Sequence, residues 1–146
     1  MSAFARDDQG RLCAGGMPLG DIAASHGSPL YVYSGDGIRD DYRRFAAAVA
    51  PVDGSVHFAL KANSALGVIG LLARHGAGAD IVSGGEMARA LAAGIPAEKI
   101  VFSGVGKSAE EIGAALDAGI CQIMPRARRR SRPSARSRRR AACRRR

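Results

Sequence analysis

From residue 55 to residue 123 the chain repeats one pattern, and that repeat restricts the fold more than anything else in it. "SVHFALK" reads as a strand, "SALGVIGLLARHG" as a helix, "GADIVS" as a strand and "GGEMARALAAG" as a helix. "EKIVFSG" then reads as a strand, "SAEEIGAALDAG" as a helix, and "ICQI" opens another strand. The helices end at Gly76, Gly94 and Gly119, where the chain needs a left-handed residue to turn away from the helix axis. Ser83 with Glu86, and Ser108 with Glu111, have the Ser-x-x-Glu spacing of a capping box, which opens a helix by satisfying its first free N–H groups. A strand–helix period of about 20 to 25 residues is that of consecutive βα units in a parallel sheet or a (β/α)8 barrel. The strands are apolar along their length, as expected when helices cover a parallel sheet.

In such folds reactive groups gather where strands end and loops begin. Lys61, Ser83 and Ser103 fall there. A lysine so placed is by default simply solvated. The apolar strand before Lys61 supplies a second reading, because an ammonium held against apolar walls loses hydration and the neutral, nucleophilic amine is favoured. A bond to a carbonyl compound needs such an amine. By strand parity His57 shares a face with Lys61, but at about 13 Å along an extended strand it reads as an interior polar residue. His26 and His75 read as surface loop residues. "SGVGK", Ser103 to Lys107, lacks the full spacing of a phosphate-binding loop.

The segment before the repeat is less regular. Residues 1–27 are a Gly-rich lead, followed by an aromatic and β-branched strand at Leu30 to Tyr33. A helix then runs to about Ala50, with apolar positions at Ile38, Tyr42, Phe45 and Val49 that predict one buried face.

Charge separates the body from the end of the chain. Residues 1–125 hold 10 basic and 13 acidic side chains, a net −3, whereas 126–146 hold 12 arginines and no acid. The body therefore offers no electrostatic reason to bind nucleic acid or an anionic membrane. Cys13, Cys121 and Cys143 lie far apart without metal-ligand spacing, which fits a reducing compartment and argues against a disulfide framework. The opening residues lack a signal-peptide core, and "ALGVIGLLA" is too short to cross a bilayer, so a cytoplasmic protein with no membrane partner is expected.

"FALKANSALGVIGLLARHG" and "GADIVSGGEMARALAAGIPAEKIVFSGVGKSAEEIGAALDAGI" resemble the N-terminal barrel region of the diaminopimelate decarboxylases, within the pyridoxal-phosphate-dependent decarboxylases that also act on ornithine and arginine. "SPLYVYSGDGIRDDYRRF" resembles the opening segment of that family, and "DIVSGGE" is nearer the diaminopimelate branch. The resemblance covers about residues 28 to 120. It implies an α/β fold, a partial (β/α)8 barrel of the alanine-racemase-like type, with residues 28–124 as the truncated pyridoxal-phosphate-binding domain. It matches Lys61 to the lysine that bonds pyridoxal 5'-phosphate, and Asp80 and Glu86 to acidic positions beside the cofactor. For Glu86 the capping box is a second role compatible with the first. For Asp80 the alternative is an ordinary carboxylate at the start of a strand. The implied substrate is a small amino acid, meso-diaminopimelate, converted to L-lysine and carbon dioxide by a homodimer.

The pattern stops after Ile120. Residues 126–146 consist only of Arg, Ala, Ser, Pro and Cys, which share GC-rich codons, and contain no Lys. A shifted reading frame beginning near Cys121 to Met124 accounts for this bias, and the segment 125–146 is then expected to be a disordered tail. The alternative is a polyanion-binding or nucleic-acid-binding arm acting through counterion release. A barrel fragment with a binding role of its own is a third reading. A full barrel takes about 250 residues. The family's cofactor-stacking histidine, phosphate site, pyridine-nitrogen acid and substrate arginine lie beyond the part resembled here. The resemblance therefore implies a chain that does not turn over substrate, with open sheet edges that invite aggregation.

Overall fold

The computed structural model describes residues 3–125, and the disorder expected of 126–146 lies outside the described residues. The chain divides into two compact units, up to Gly54 and from Ser55 onward.

The first unit contains structure that the Gly-rich lead had concealed. Strands β1 (Phe4–Arg6), β2 (Leu12–Ala14) and β3 (Met17–Pro18) form an antiparallel sheet in the order β1-β2-β3. Gly15 and Gly16, at φ 56° and 82°, supply the two left-handed residues of the tight β2–β3 connection. Asp7 accepts the Gln9 and Arg11 N–H groups and pairs with the Arg11 guanidinium, which closes the β1–β2 turn. Helix α1 spans Leu19–His26, so His26 ends a helix, although it is exposed as expected.

The strand expected at Leu30 to Tyr33 is absent. Those residues pair with no strand among the described ones, and Tyr31 is 90% exposed. β-propensity alone leaves backbone donors without partners, and a strand needs its ladder. Helix α2 (Gly35–Val49) forms as its periodicity predicts and is capped by Ser34, whose hydroxyl accepts the Gly37 N–H. Its apolar face is not buried, however, and Phe45 is 60% exposed.

In the second unit the repeat becomes β4 (His57–Ala59), α3 (Leu66–Arg74), β5 (Gly78–Ile81), α4 (Gly84–Ala92), β6 (Ile100–Phe102), α5 (Ala109–Asp117) and β7 (Gln122–Ile123). The four strands are parallel in the sequential order β4-β5-β6-β7, an arc of a (β/α)8 barrel. The strands are shorter than expected, and their two faces differ. Ala79, Ile81, Ile100 and Phe102 are fully buried in one cluster with Ile69 of α3, Met87 and Ala90 of α4 and Ala115 of α5. Burying each large side chain of this kind stabilises the fold by about 1.5–3 kcal/mol. The opposite face carries His57, Asp80 and Gln122 and is incompletely covered. Gly76, Gly94 and Gly119 have φ of 94°, 90° and 71°, the left-handed endings their positions predict.

Candidate functional site

Strand β4 ends at Ala59, and a single 3-10 turn, Leu60–Ala62, follows. That turn breaks the strand alternation. Leu60 goes fully into the core, whereas Lys61 is exposed at the C-terminal rim of the sheet. The desolvating walls expected around its ammonium are therefore not provided by the described residues. Asn63 follows, and its side-chain oxygen accepts the Ala65 N–H at 2.9 Å, turning the chain into α3.

Asp80 lies on the neighbouring strand, in register with Ala59. It sits inside β5 rather than at a strand start, flanked by Ala79 and Ile81, which point into the helix-covered core. Alternation sends Asp80 to the other face. Its Oδ1 is buried and has no hydrogen-bond partner among the described residues. A buried carboxylate oxygen in that condition is costly unless a donor or cation is supplied to it.

Past β5, Ser83 Oγ accepts the Glu86 N–H at 3.2 Å and caps α4. The reciprocal half of the expected box does not form. Glu86 Oε2 reaches one residue further back and accepts the Val82 N–H at 2.8 Å, which places the carboxylate over the strand end. At α5 the box is complete, with Glu111 Oε2 accepting the Ser108 N–H and Ser108 Oγ accepting the Glu111 N–H. Glu111 Oε1 also accepts the Gly84 N–H at 2.7 Å, a bond between α4 and α5 that no local pattern announces. These two backbone donors, Gly84 first, hold the Glu111 carboxyl below its ordinary range.

Of the remaining sequence candidates, His57 and Lys107 make structural contacts. His57 Nε2 lies 3.1 Å from Ser55 Oγ, and the ring packs against Gly78, where an added Cβ would stand 2.5 Å from Nδ1. The Lys107 ammonium of "SGVGK" donates to the Gly104 and Met124 carbonyls and lies 5.0 Å from the centre of the Phe102 ring. It ties the ends of β6 and β7 together, so that segment is no phosphate loop. Among the described residues no group of His, Cys, Asp and Glu could hold a metal ion.

The residues at the rim fit pyridoxal phosphate in two respects. Lys61 offers an exposed primary amine able to bond an aldehyde, and Asp80 Oδ1 is an orphaned acceptor on the inner face of the adjacent strand. Comparison with known proteins agrees with this chemistry. The model of the pyridoxal binding domain of pyridoxal-dependent decarboxylases matches residues 36–125. A diaminopimelate decarboxylase of Pseudomonas fluorescens is 55% identical over 111 residues, 76% of this chain and 27% of that protein. One from Zymomonas mobilis is 49% identical over 120 residues, 78% of this chain and 28% of that protein. Among solved structures, diaminopimelate decarboxylase from M. jannaschii in complex with L-lysine has a TM-score of 0.78 at 36% identity, covering 84% of this chain and 29% of that one. AQ1208 from Aquifex aeolicus has a TM-score of 0.78 at 40% identity, covering 83% and 30%. The chain thus spans less than a third of the length of these relatives, and its four parallel strands are the first part of a (β/α)8 barrel. On its sequence and its fold together, the chain belongs to the pyridoxal-dependent decarboxylases, as a portion of their pyridoxal-binding domain.

Proposed function

We propose that this chain carries the lysine end of the pyridoxal-phosphate site of a diaminopimelate decarboxylase, with Lys61 as the residue that bonds the cofactor aldehyde. The observation that carries the reading is the pairing of an exposed lysine past β4 with a buried carboxylate oxygen on β5 that has no partner among the described residues. When bound, the cofactor supplies an electron sink for the charge left by the departing carboxylate. Lys61 would hold the cofactor through its exposed primary amine. Asp80 Oδ1, buried on the inner face, would be available to accept a hydrogen bond from it. Glu86, anchored through Val82 N–H, keeps its carboxylate at the end of β5.

The substrate of the longer family enzyme is proposed to be meso-diaminopimelate, from the names of the relatives. Decarboxylation, homodimer formation and a cytoplasmic location are proposed for that longer protein. No helix among the described residues is long and apolar enough to cross a membrane. For this chain we propose a cofactor-bonding segment, 28–124. The shifted-frame origin of 126–146 is tested by translating all three frames across the codons for Gly119 to Arg130.

The direct test incubates the full chain with pyridoxal phosphate, reduces with borohydride and locates the label by peptide mass spectrometry. Label at Lys61, absent from Lys61→Ala, is expected. Equal labelling of Lys61, Lys99 and Lys107 would refute the reading, since exposed lysines all react to some degree.

A further inference from the structure

Glu111 belongs to the third βα unit, yet it bonds the rim of the second. Three hydrogen bonds to side chains hold the turn that follows β5. Two are internal: Val82 N–H to Glu86 Oε2, and Glu86 N–H to Ser83 Oγ. Both would survive if the whole turn tilted as one piece, because donor and acceptor would move together. The third comes from 27 residues away, where Glu111 Oε1 accepts the Gly84 N–H at 2.7 Å. It alone of the three fixes the turn to the neighbouring unit. The carboxylate is itself immobilised, because its second oxygen accepts the Ser108 N–H at 2.9 Å.

Close packing supports the same connection. A Cβ on Gly84 would meet Glu111 Cγ at 3.2 Å, so the α5 side chain lies directly against the α4 start. A Cβ on Gly104, at the end of β6, would stand 2.4 Å from the Val82 carbonyl oxygen. The third unit therefore braces the turn from two directions, by contact at Val82 and by a charge-assisted hydrogen bond at Gly84.

We propose that Glu111 is a positioning residue for the cofactor rim, clamping Gly84 N–H so that the Val82–Glu86 turn and the Glu86 carboxylate stay in place relative to the sheet. Glu111 touches neither cofactor nor substrate and acts only through Gly84. The proposal deepens the cofactor reading and rests on it for its consequence at Lys61.

The test compares wild type, Glu111→Ala and Ser108→Ala as full chains. Ser108→Ala removes a helix cap but leaves the Glu111–Gly84 bond, so it controls for loss of α5 stability. Backbone amide NMR reports the turn, and borohydride-trapped label at Lys61 against pyridoxal phosphate concentration reports cofactor retention. Glu111→Ala is expected to move the Val82, Gly84 and Glu86 amide signals. It should also raise the half-saturating concentration about tenfold, the effect of one charge-assisted hydrogen bond. Ser108→Ala should leave both within about twofold of wild type, since it spares that bond. Unmoved Val82 and Glu86 signals in Glu111→Ala, or equal effects in Ser108→Ala, overturn the proposal. If the wild-type chain takes no label at Lys61, the cofactor reading falls, and the amide signals alone then decide the role of Glu111. Should Glu111→Ala not fold, Glu111→Asp, one methylene too short to span both donors, is judged by the same criteria.

Discussion

Gly104→Ala adds one methyl group at the end of β6, and the geometry there leaves it nowhere to go. The new Cβ would lie 2.4 Å from Val82 O, 2.8 Å from Val82 Cα and 2.9 Å from its carbonyl carbon. All three are backbone atoms inside the β5–β6 neighbourhood, so no rotamer change relieves them. Contacts below 3.0 Å are essentially never seen for a real Cβ, and the carbonyl oxygen must retreat by more than half an ångström. Overpacking against fixed structure costs about 1–3 kcal/mol. With a urea dependence of about 2 kcal/mol per molar, a loss of about 2 kcal/mol moves the unfolding midpoint down by about 1 M. Tyr31, Tyr33 and Tyr42 all lie in the first unit, and the chain has no Trp, so fluorescence does not report on β5 and β6. Amide resonances of Ala79 to Phe102, followed through a urea titration, do. The control is Gly113→Ala, in the middle of α5, where nothing lies within 4 Å of the added methyl. It should stabilise by about 1 kcal/mol through helix propensity. A Gly104→Ala midpoint equal to or above that of wild type would refute the reasoning.

Two phenylalanines at apolar positions should behave oppositely: Phe102→Ala, fully buried, is expected to cost about 3–5 kcal/mol. Phe45→Ala, at a residue 60% exposed, should change stability by under about 0.5 kcal/mol, and a larger loss in the same urea titration would mean that α2 has a partner. Glu111 should contribute to the acid limb of stability. Its folded carboxyl titrates below the ordinary 4.5, so its contribution is present above that value and is lost as pH falls through the lowered one. Thermal melts of Glu111→Gln should show a shallower decline below pH 4.5 than wild type, and an unchanged slope would contradict the assignment. The 12 arginines of 126–146 should hold the full chain on heparin at low salt and release it steeply as salt rises. Retention that ignores salt would exclude the electrostatic account.

Features encoded by residues near one another in the chain are legible in the sequence, and those that need distant neighbours are not. Helices α3, α4 and α5 and the glycines that end them were legible because a helix buries a face repeating every 3.6 residues and stops where a left-handed residue stands. The order of the βα units followed from the same signals, and with it the placement of Lys61, Ser83 and Ser103 at strand ends. The sheet β1-β2-β3 was missed because strands of two or three residues carry no readable alternation. Leu30 to Tyr33 was misread for the converse reason: its composition suits a strand, but composition does not supply the neighbour that a ladder requires.

By itself the sequence determined the parallel βα arc, the lysine at its rim and the division between an acidic body and an arginine-rich end. Each of these depends on residues close together in the chain, through helix period, turn chemistry or summed charge. Only the tertiary structure decided that Lys61 stands on a 3-10 turn instead of a strand, and that Asp80 Oδ1 is buried without a partner among the described residues. It also decided that Glu86 bonds Val82 while Glu111 bonds Gly84. The last of these joins residues 27 apart, and the distance between such residues is set by how β5, β6 and their helices pack, which no local pattern encodes.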